Sequence, residues 1–135
     1  MTNRAKQIAR MAEEHAVAWT RGDLETVGDL FADDGSISVN GADPQVGRAA
    51  IIQGAAALME TFPGVVVRSV ETRSAGSRAV FLWTLEGRHS ETGNNVFLPG
   101  WHEWQLDDDM KVAVCHGFYD AEDMQRQVSG TEPAD

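Results

Sequence analysis

The sequence predicts an α+β fold, with helices in the first half of the chain and an antiparallel sheet in the second. Apolar residues recur at helical spacing as far as residue 61. From residue 64 onward, runs rich in Val, Leu, Phe and Trp alternate with short turn sequences. Helices that come first and strands that come second are typical of an α+β arrangement. With no repeat or linker between the two halves, we expect one domain over residues 1–129 and a flexible acidic tail over residues 130–135.

The first half of the chain carries start and stop signals for helices. Three helices are predicted, over residues 3–21, 24–31 and 48–61. Thr2 or Asn3 is expected to cap the first helix and Asp23 the second, whereas Pro63 ends the third. The stretch ADDG, residues 32–35, predicts a turn into a short strand at 36–39.

The second half predicts a meander of strands. The predicted strands are 65–73, 78–90, 96–106 and 111–120, separated by SAGS, ETGNN and DDDM. Asp120 is placed to cap a closing helical turn at 121–128. A curved sheet that wraps around amphipathic helices leaves a cavity between them, which is the usual site of a small ligand.

Composition limits the classes of partner. The net charge of −10 argues against nucleic acid or an anionic membrane surface as the main partner. No apolar stretch approaches the length of a membrane span, and the first residues lack the apolar core of a secretion signal. Cys115 is the single cysteine, which excludes an internal disulfide and fits a reducing compartment. We therefore expect a cytoplasmic protein.

Four stretches together resemble the SnoaL-like branch of the nuclear-transport-factor-like superfamily, which includes polyketide cyclases, with ketosteroid isomerases and limonene-epoxide hydrolases as cousins. They are AWTRGDLETVGDLFADD (18–34), VGRAAI (46–51), WTLEGRHSETG (83–93) and WQLDDDMKV…FYD (104–120). The resemblance implies a conical α+β barrel, an apolar pocket and, commonly, a homodimer. It covers nearly the whole chain but implies fold more strongly than function, because this fold hosts many chemistries.

The acidic residues that the family uses for catalysis are not found at their expected positions. The resemblance puts Gly117 where cyclases and epoxide hydrolases carry an Asp on the last strand, and Val39 where ketosteroid isomerases carry their base. Trp83 and Leu85 occupy the Arg and Asp positions of the epoxide hydrolases. The Asp near Thr20 and the His near Phe62 that dehydratase-like relatives would need are also absent.

Two histidines are the candidate catalytic residues. The same register places His15 and His102 at the oxyanion-hole positions of the ketosteroid isomerases, on opposite walls of the cavity. Imidazole suits proton transfer near neutral pH, so one ring would act as base and the other as donor to a carbonyl oxygen. The alternative is that both are half-buried histidines, satisfied by backbone groups or water.

The resemblance and the period-two alternation of strand residues also predict the wall of the pocket. The predicted pocket residues are Trp19, Val39, Met59, Phe62, Trp83, Leu85, His89, Trp104, Cys115, Gly117 and Tyr119. The aromatic members suit a planar ring system, although such residues are usually core. For His89, the alternative to a pocket role is a structural one at the strand end, where it would bond a loop carbonyl. Cys115 is interpreted as a small core residue rather than as a nucleophile.

The opposite parity predicts the outer face of the sheet. His116, Trp101 and Glu103 should point away from the cavity, and an exposed Trp there suggests a dimer contact. His102 and Glu103 lie on opposite faces of one strand, so the sequence predicts no metal site. No cofactor is expected.

Two functional hypotheses follow, with a third behind them. The first is a cofactor-independent enzyme of cyclase, isomerase or lyase type, acting on a carbonyl-bearing, polyketide- or steroid-like substrate. The second is a binding or carrier protein for a small hydrophobic ligand, which the missing carboxylates at Gly117 and Val39 favour. The third is an adaptor that docks another protein on its outer sheet.

Overall fold

The computed structural model describes residues 3–130, and every structural statement below concerns that range. Four helices are found: α1 (Asn3–Arg21), α2 (Leu24–Asp29), α3 (Arg48–Thr61) and α4 (Ala121–Ser129). Six strands are found: β1 (Phe31–Val39), β2 (Gln45–Val46), β3 (Val66–Ala75), β4 (Arg78–Arg88), β5 (Asn95–Leu106) and β6 (Val112–Tyr119). The α+β fold class is confirmed.

The six strands form one curved sheet in the order β2-β1-β6-β5-β4-β3. The sheet is open, with β2 and β3 at its edges, and only the contact between β1 and β6 is parallel. Along β4 and β5, buried and more exposed residues alternate, because successive side chains of a strand point to opposite faces. The buried set faces α1 and α3, so the core and the site lie on the concave side of the sheet.

A hydroxyl group fixes α1 to the edge strand β3. Thr20 Oγ1 accepts a hydrogen bond from Val67 N (2.9 Å) and lies within hydrogen-bond distance of the Ala16 carbonyl (3.0 Å) in its own helix. This contact sets the height of the last turns of α1 over the sheet. It thereby positions His15 and Trp19, which lie on the helix face that turns toward the sheet.

The predicted end of the second helix and start of the first strand are wrong. The helix ends at Asp29 rather than at residue 31, and Phe31 already belongs to β1, directly opposite Val112. The stretch 32–35 forms a bulge within the strand rather than a turn before it. A Cβ on Gly35 would lie 2.8 Å from the Val112 carbonyl oxygen, so glycine permits this close approach. Pairing with β6 therefore overrides the local turn signal.

Two of the predicted caps agree with the structure, whereas Asn3, one of the two candidate caps of the first helix, is already the first residue of α1. Asp23 accepts a hydrogen bond from Thr26 N (3.2 Å) and Asp120 from Asp123 N (3.0 Å). Thr2 and residues 131–135 of the predicted tail lie outside the described residues. Among the described helices, none is both long enough and apolar enough to span a membrane.

Candidate functional site

A cavity of about 390 Å³ lies between the concave face of the sheet and the helices. This volume is in the range of pockets that hold drug-sized ligands. Its wall combines residues from all four helices, all six strands and the loop after β1. Its predominantly apolar lining includes Trp19, Ile37, Val39, Ile51, Ala55, Leu58, Phe62, Phe81, Trp83, Leu85, Leu98, Phe118, Tyr119 and Met124.

His15 and His102 both line this cavity, one from α1 and one from β5. Phe81 connects them: its ring makes a T-shaped contact with His15 (6.4 Å between centroids) and another with His102 (5.9 Å). Phe81 stands directly opposite His102 in the ladder between β4 and β5. The two imidazoles thus share one aromatic neighbour across the site.

Gly117 makes room for the ring of His102. The two residues are directly opposite each other on β6 and β5. A Cβ at position 117 would lie 2.8 Å from Cδ2 and 3.0 Å from Nε2 of His102, closer than side chains normally pack. The space at the expected carboxylate position is therefore largely filled by imidazole.

The same arrangement occurs one step along the sheet. Gly100 on β5 is directly opposite Trp83 on β4, and a Cβ at position 100 would clash with the indole of Trp83. The rings of Trp83 and His102 then meet edge to face, with centroids 5.6 Å apart. Two strand glycines thus allow two large rings to lean across their neighbouring strands, which explains glycine at positions where it weakens a strand.

Burial keeps both cavity histidines neutral. Desolvation, with a smaller contribution from His102, lowers the pKa of His15 to about 3. Desolvation also lowers the pKa of His102 to about 4. The charged form of an imidazole is disfavoured where water is excluded. Near neutral pH each ring therefore offers one N–H donor and one nitrogen lone pair.

Three buried polar atoms of the cavity wall have no hydrogen-bond partner. They are His15 Nδ1, His102 Nδ1 and Trp83 Nε1. The other ring nitrogen of His15, Nε2, accepts a hydrogen bond from Trp19 Nε1 at 3.2 Å. Buried polar groups are nearly always paired, so three orphaned atoms in residues of one apolar cavity wall are unusual. Each atom is itself covered, so a polar ligand group or a water molecule would pair with it only after a side-chain shift.

Seven of the eleven residues predicted for the pocket lie on its wall: Trp19, Val39, Phe62, Trp83, Leu85, Gly117 and Tyr119. Four lie elsewhere. Trp104 and Cys115 face inward as predicted, but they pair with each other deeper in the core, where side chains fill the space. Burial there raises the pKa of the Cys115 thiol to about 12, so it is not a nucleophile at neutral pH. Met59 packs against both the main core and the smaller cluster around Ala18 and Val27.

His89 is the fourth residue that lies outside the cavity wall. It follows the end of β4, and its ring packs against Phe62 with centroids 5.6 Å apart. Its Nδ1 accepts hydrogen bonds from the backbone N–H groups of Glu91 (3.3 Å) and Thr92 (3.2 Å). The histidine therefore shapes the turn between β4 and β5, as an acceptor rather than as the expected donor to a carbonyl.

Several wall residues were not predicted from the sequence. Phe81 shares the period-two parity of Trp83 and Leu85, so that signal was available. Gln45, from β2, and Met124, from α4, reach the cavity only because of tertiary packing. No periodicity along the chain indicates such contributions.

The outer face of the sheet agrees with the predicted parity. Trp101 is 41% exposed, stacks on Phe118 (5.2 Å between centroids) and donates to Glu103 Oε2 at 3.1 Å. His116 is exposed, and its Nδ1 lies 2.8 Å from Ser38 Oγ. Among residues 3–130, no group of three or more His, Cys, Asp or Glu side chains is arranged to hold a metal ion.

Comparisons with known proteins agree with this geometry. The model of the SnoaL-like domain family matches residues 12–114. A protein with a ketosteroid isomerase-like fold from Catenulispora acidiphila, solved in complex with trimethylamine, superposes with a TM-score of 0.81 at 20% identity, over 90% of this chain and 93% of that one. None of the curated proteins matches the chain.

Two further structures belong to proteins assigned as polyketide cyclases. The one from Xanthomonas campestris has a TM-score of 0.83 at 18% identity and covers 92% of this chain and 98% of its own. The SnoaL-like one from Jannaschia sp. CCS1 has a TM-score of 0.77 at 18% identity, with coverages of 91% and 94%. At these sequence identities the similarity establishes a shared fold, whereas the reaction has to be inferred from the residues of the site.

Proposed function

The chain belongs to the SnoaL-like domain family, and from this premise we propose that it is a small-molecule enzyme performing cofactor-independent acid–base chemistry. Its substrate would be a carbonyl-bearing, polyketide- or steroid-like molecule, and the reaction would be of cyclase, isomerase or lyase type. One observation carries the proposal: an apolar cavity whose wall holds unpartnered nitrogen atoms of His15, His102 and Trp83.

In the proposed reaction, His15 and His102 act on opposite sides of one carbonyl group. One neutral imidazole removes a proton from the carbon next to the carbonyl, and the C–H electron pair moves into an enolate. The N–H of the other imidazole donates to the enolate oxygen as its charge develops. The imidazolium then returns the proton to another carbon, which isomerises the substrate, or the enolate carbon attacks a second carbonyl carbon of the same molecule. In that case the π electrons of the attacked C=O move to its oxygen, the alkoxide takes the proton from the imidazolium, and a ring is closed.

The lowered pKa values suit a neutral base in an apolar site. An imidazole with a pKa of about 4, as at His102, has the basicity of an ordinary carboxylate. Unlike a carboxylate, it brings no charge into the cavity before the reaction, so the missing acid at Gly117 leaves a base of comparable strength nearby. None of the described wall residues is a lysine or an arginine, which favours ligands without a carboxylate or phosphate.

A carrier protein for the same class of ligand is the second candidate function. It is favoured by Gly117 and Val39, which stand where the family's catalytic carboxylates are expected. An apolar cavity with a few hydrogen-bond donors can hold a ketone without turning it over. The two functions differ in whether bound ketone loses its proton.

The binding part of the proposal is tested with β-tetralone and tetralin, which differ only by a carbonyl group. Pairing one orphaned buried donor recovers roughly 1–3 kcal/mol, so we expect β-tetralone to bind roughly 5- to 150-fold more tightly. His15→Phe should bring the two affinities together, whereas His116→Phe, on the outer face, should preserve the difference. Equal affinities in the wild-type protein would remove the basis for a carbonyl ligand.

Deuterium exchange separates an enzyme from a carrier. In deuterium oxide, an enzyme should speed the loss of the α-proton signals of β-tetralone over the rate in buffer, and His102→Phe should return the rate to the buffer value. A carrier should bind the ketone and leave the rate unchanged. If tight binding accompanies no acceleration, the carrier function replaces the enzyme.

We also propose that the protein is a homodimer through the outer face of its sheet, around Trp101 and Glu103. The exposed Trp101, stacked on the half-buried Phe118, supports this, because aromatic residues are enriched at the centres of protein interfaces. Light scattering should give a dimer for the wild type and a monomer for Trp101→Glu. Val70→Glu, at an exposed apolar residue of β3, is the matched control and should stay dimeric. A wild-type monomer would refute the dimer and leave this face to an adaptor function.

A further inference from the structure

Trp19 donates a hydrogen bond to His15, one of the two cavity histidines. The two residues are four apart on α1, so they lie on the same face of the helix. Trp19 Nε1 lies 3.2 Å from His15 Nε2, and the ring planes are nearly perpendicular, at 84°. An indole nitrogen has a hydrogen and no lone pair to offer, so it is always the donor.

The donor character of tryptophan decides which nitrogen of His15 carries the proton. If Nε2 carried it, two N–H groups would face each other across 3.2 Å. Nε2 must therefore be the acceptor, and in the neutral ring the single hydrogen resides on Nδ1. This is the same Nδ1 that is buried without a partner.

We propose that Trp19 is a positioning residue, which locks His15 as the Nδ1–H tautomer and thereby makes His15 the hydrogen-bond donor of the site. The inference rests on the proposed function and assigns its two roles. With its Nε2 lone pair already occupied, His15 has no free acceptor and cannot serve as the base. That role falls to His102, for which the structure gives no such neighbour.

The packing around His15 supports a fixed ring. Its ring makes T-shaped contacts with Phe31 (6.2 Å between centroids) and Phe81 (6.4 Å). Nδ1 is itself buried, so a carbonyl oxygen reaches the N–H only when the ring or a neighbour shifts. An unpaired buried donor is destabilising, and a ligand acceptor would remove that penalty.

Nitrogen-15 NMR of the full chain tests the proposal without any ligand. In the wild type we expect His15 Nδ1 at the shift of a protonated ring nitrogen and Nε2 at that of an unprotonated one, with a scalar coupling across the bond to Trp19 Nε1. Trp19→Phe removes the donor and keeps an aromatic ring, so the two shifts should move toward each other as the tautomers mix. Trp83→Phe removes an indole N–H from the same wall and should leave the His15 shifts unchanged.

Each outcome has one meaning. A protonated Nε2 in the wild type, or unchanged His15 shifts in Trp19→Phe, would overturn the proposal. Should that variant not fold, the wild-type shifts and the coupling to Trp19 still decide. A failure of the proposed function would give a different result. The protein would then bind β-tetralone and tetralin equally, while NMR still showed His15 as the Nδ1–H tautomer.

Discussion

Lowering the pH from 7 to 5 should destabilise this protein through His15 and His102. Their folded-state pKa values are about 3 and about 4, below the ordinary imidazole value of 6.5. Between these limits the unfolded chain binds protons that the folded chain does not, so the free energy of unfolding falls as the pH falls. The contribution of the two histidines to the free energy of unfolding is fully present above pH 6.5, and it is lost progressively as the pH falls toward 3 to 4.

The size of the loss follows from the gap between folded and unfolded pKa values. A shift of one pH unit corresponds to about 1.4 kcal/mol for each proton bound. A pH of 5 is about 1.5 units below the pKa of a histidine in the unfolded chain. After allowance for the partial protonation of unfolded histidine at pH 7, each ring contributes roughly 2 kcal/mol, or roughly 4 kcal/mol together. This is a large part of the 5–15 kcal/mol that typical domains possess.

Urea unfolding at pH 7 and pH 5 measures the effect. His15→Gln and His102→Gln carry side chains that do not titrate, so each variant should lose roughly half as much stability between the two pH values as the wild type. His116→Gln, outside the cavity, is the control and should behave like the wild type. Equal wild-type stability at pH 7 and pH 5 would show that the two rings are hydrated or hydrogen-bonded. It would refute the conclusion that burial lowers the pKa values of His15 and His102.

Three substitutions test other contacts. Gly117→Ala should turn the His102 ring, because the new Cβ would lie 2.8 Å from Cδ2; the chemical shifts of that ring should change, at a cost of roughly 1–3 kcal/mol in stability. Thr20→Val should cost roughly 1–2 kcal/mol in urea unfolding because it frees an N–H of β3, whereas Thr61→Val, whose hydroxyl bonds only its own helix, should cost less. Arg48→Met should cost roughly 2–3 kcal/mol, because the guanidinium bonds two backbone carbonyls at the junction of α2 and β1; a change below 0.5 kcal/mol would refute this role.

The sequence predicted the elements whose signal is local. Helix α3 has the predicted bounds, and it ends at Thr61 because Pro63 excludes a longer helix. Asp23 and Asp120 cap helices through hydrogen bonds to backbone N–H groups three residues further on. Alternation along β4 and β5 placed Trp83 inside and Trp101 outside, since strand parity is a property of the backbone. The resemblance to SnoaL-like proteins gave the fold that these elements build.

The sequence did not predict features that depend on distant residues. Phe31 joins β1 because it pairs with Val112, and this partner lies far along the chain. Trp104 and Cys115 have the inward parity of the pocket residues, but their depth in the fold puts them in solid core. The alternation of residues along a strand predicts which face of the sheet a side chain lies on. The position of the helices over that face decides which of those side chains line the cavity and which are packed in the core.

For the candidate site, the resemblance carried by the sequence predicted Gly117 and Val39 at the positions of the family's carboxylates and two histidines in the cavity. Only the tertiary structure decided what lies against Gly117, because cross-strand pairing brings the His102 ring over that glycine. Tertiary burial likewise decided that both rings are neutral, since desolvation depends on everything that packs around them.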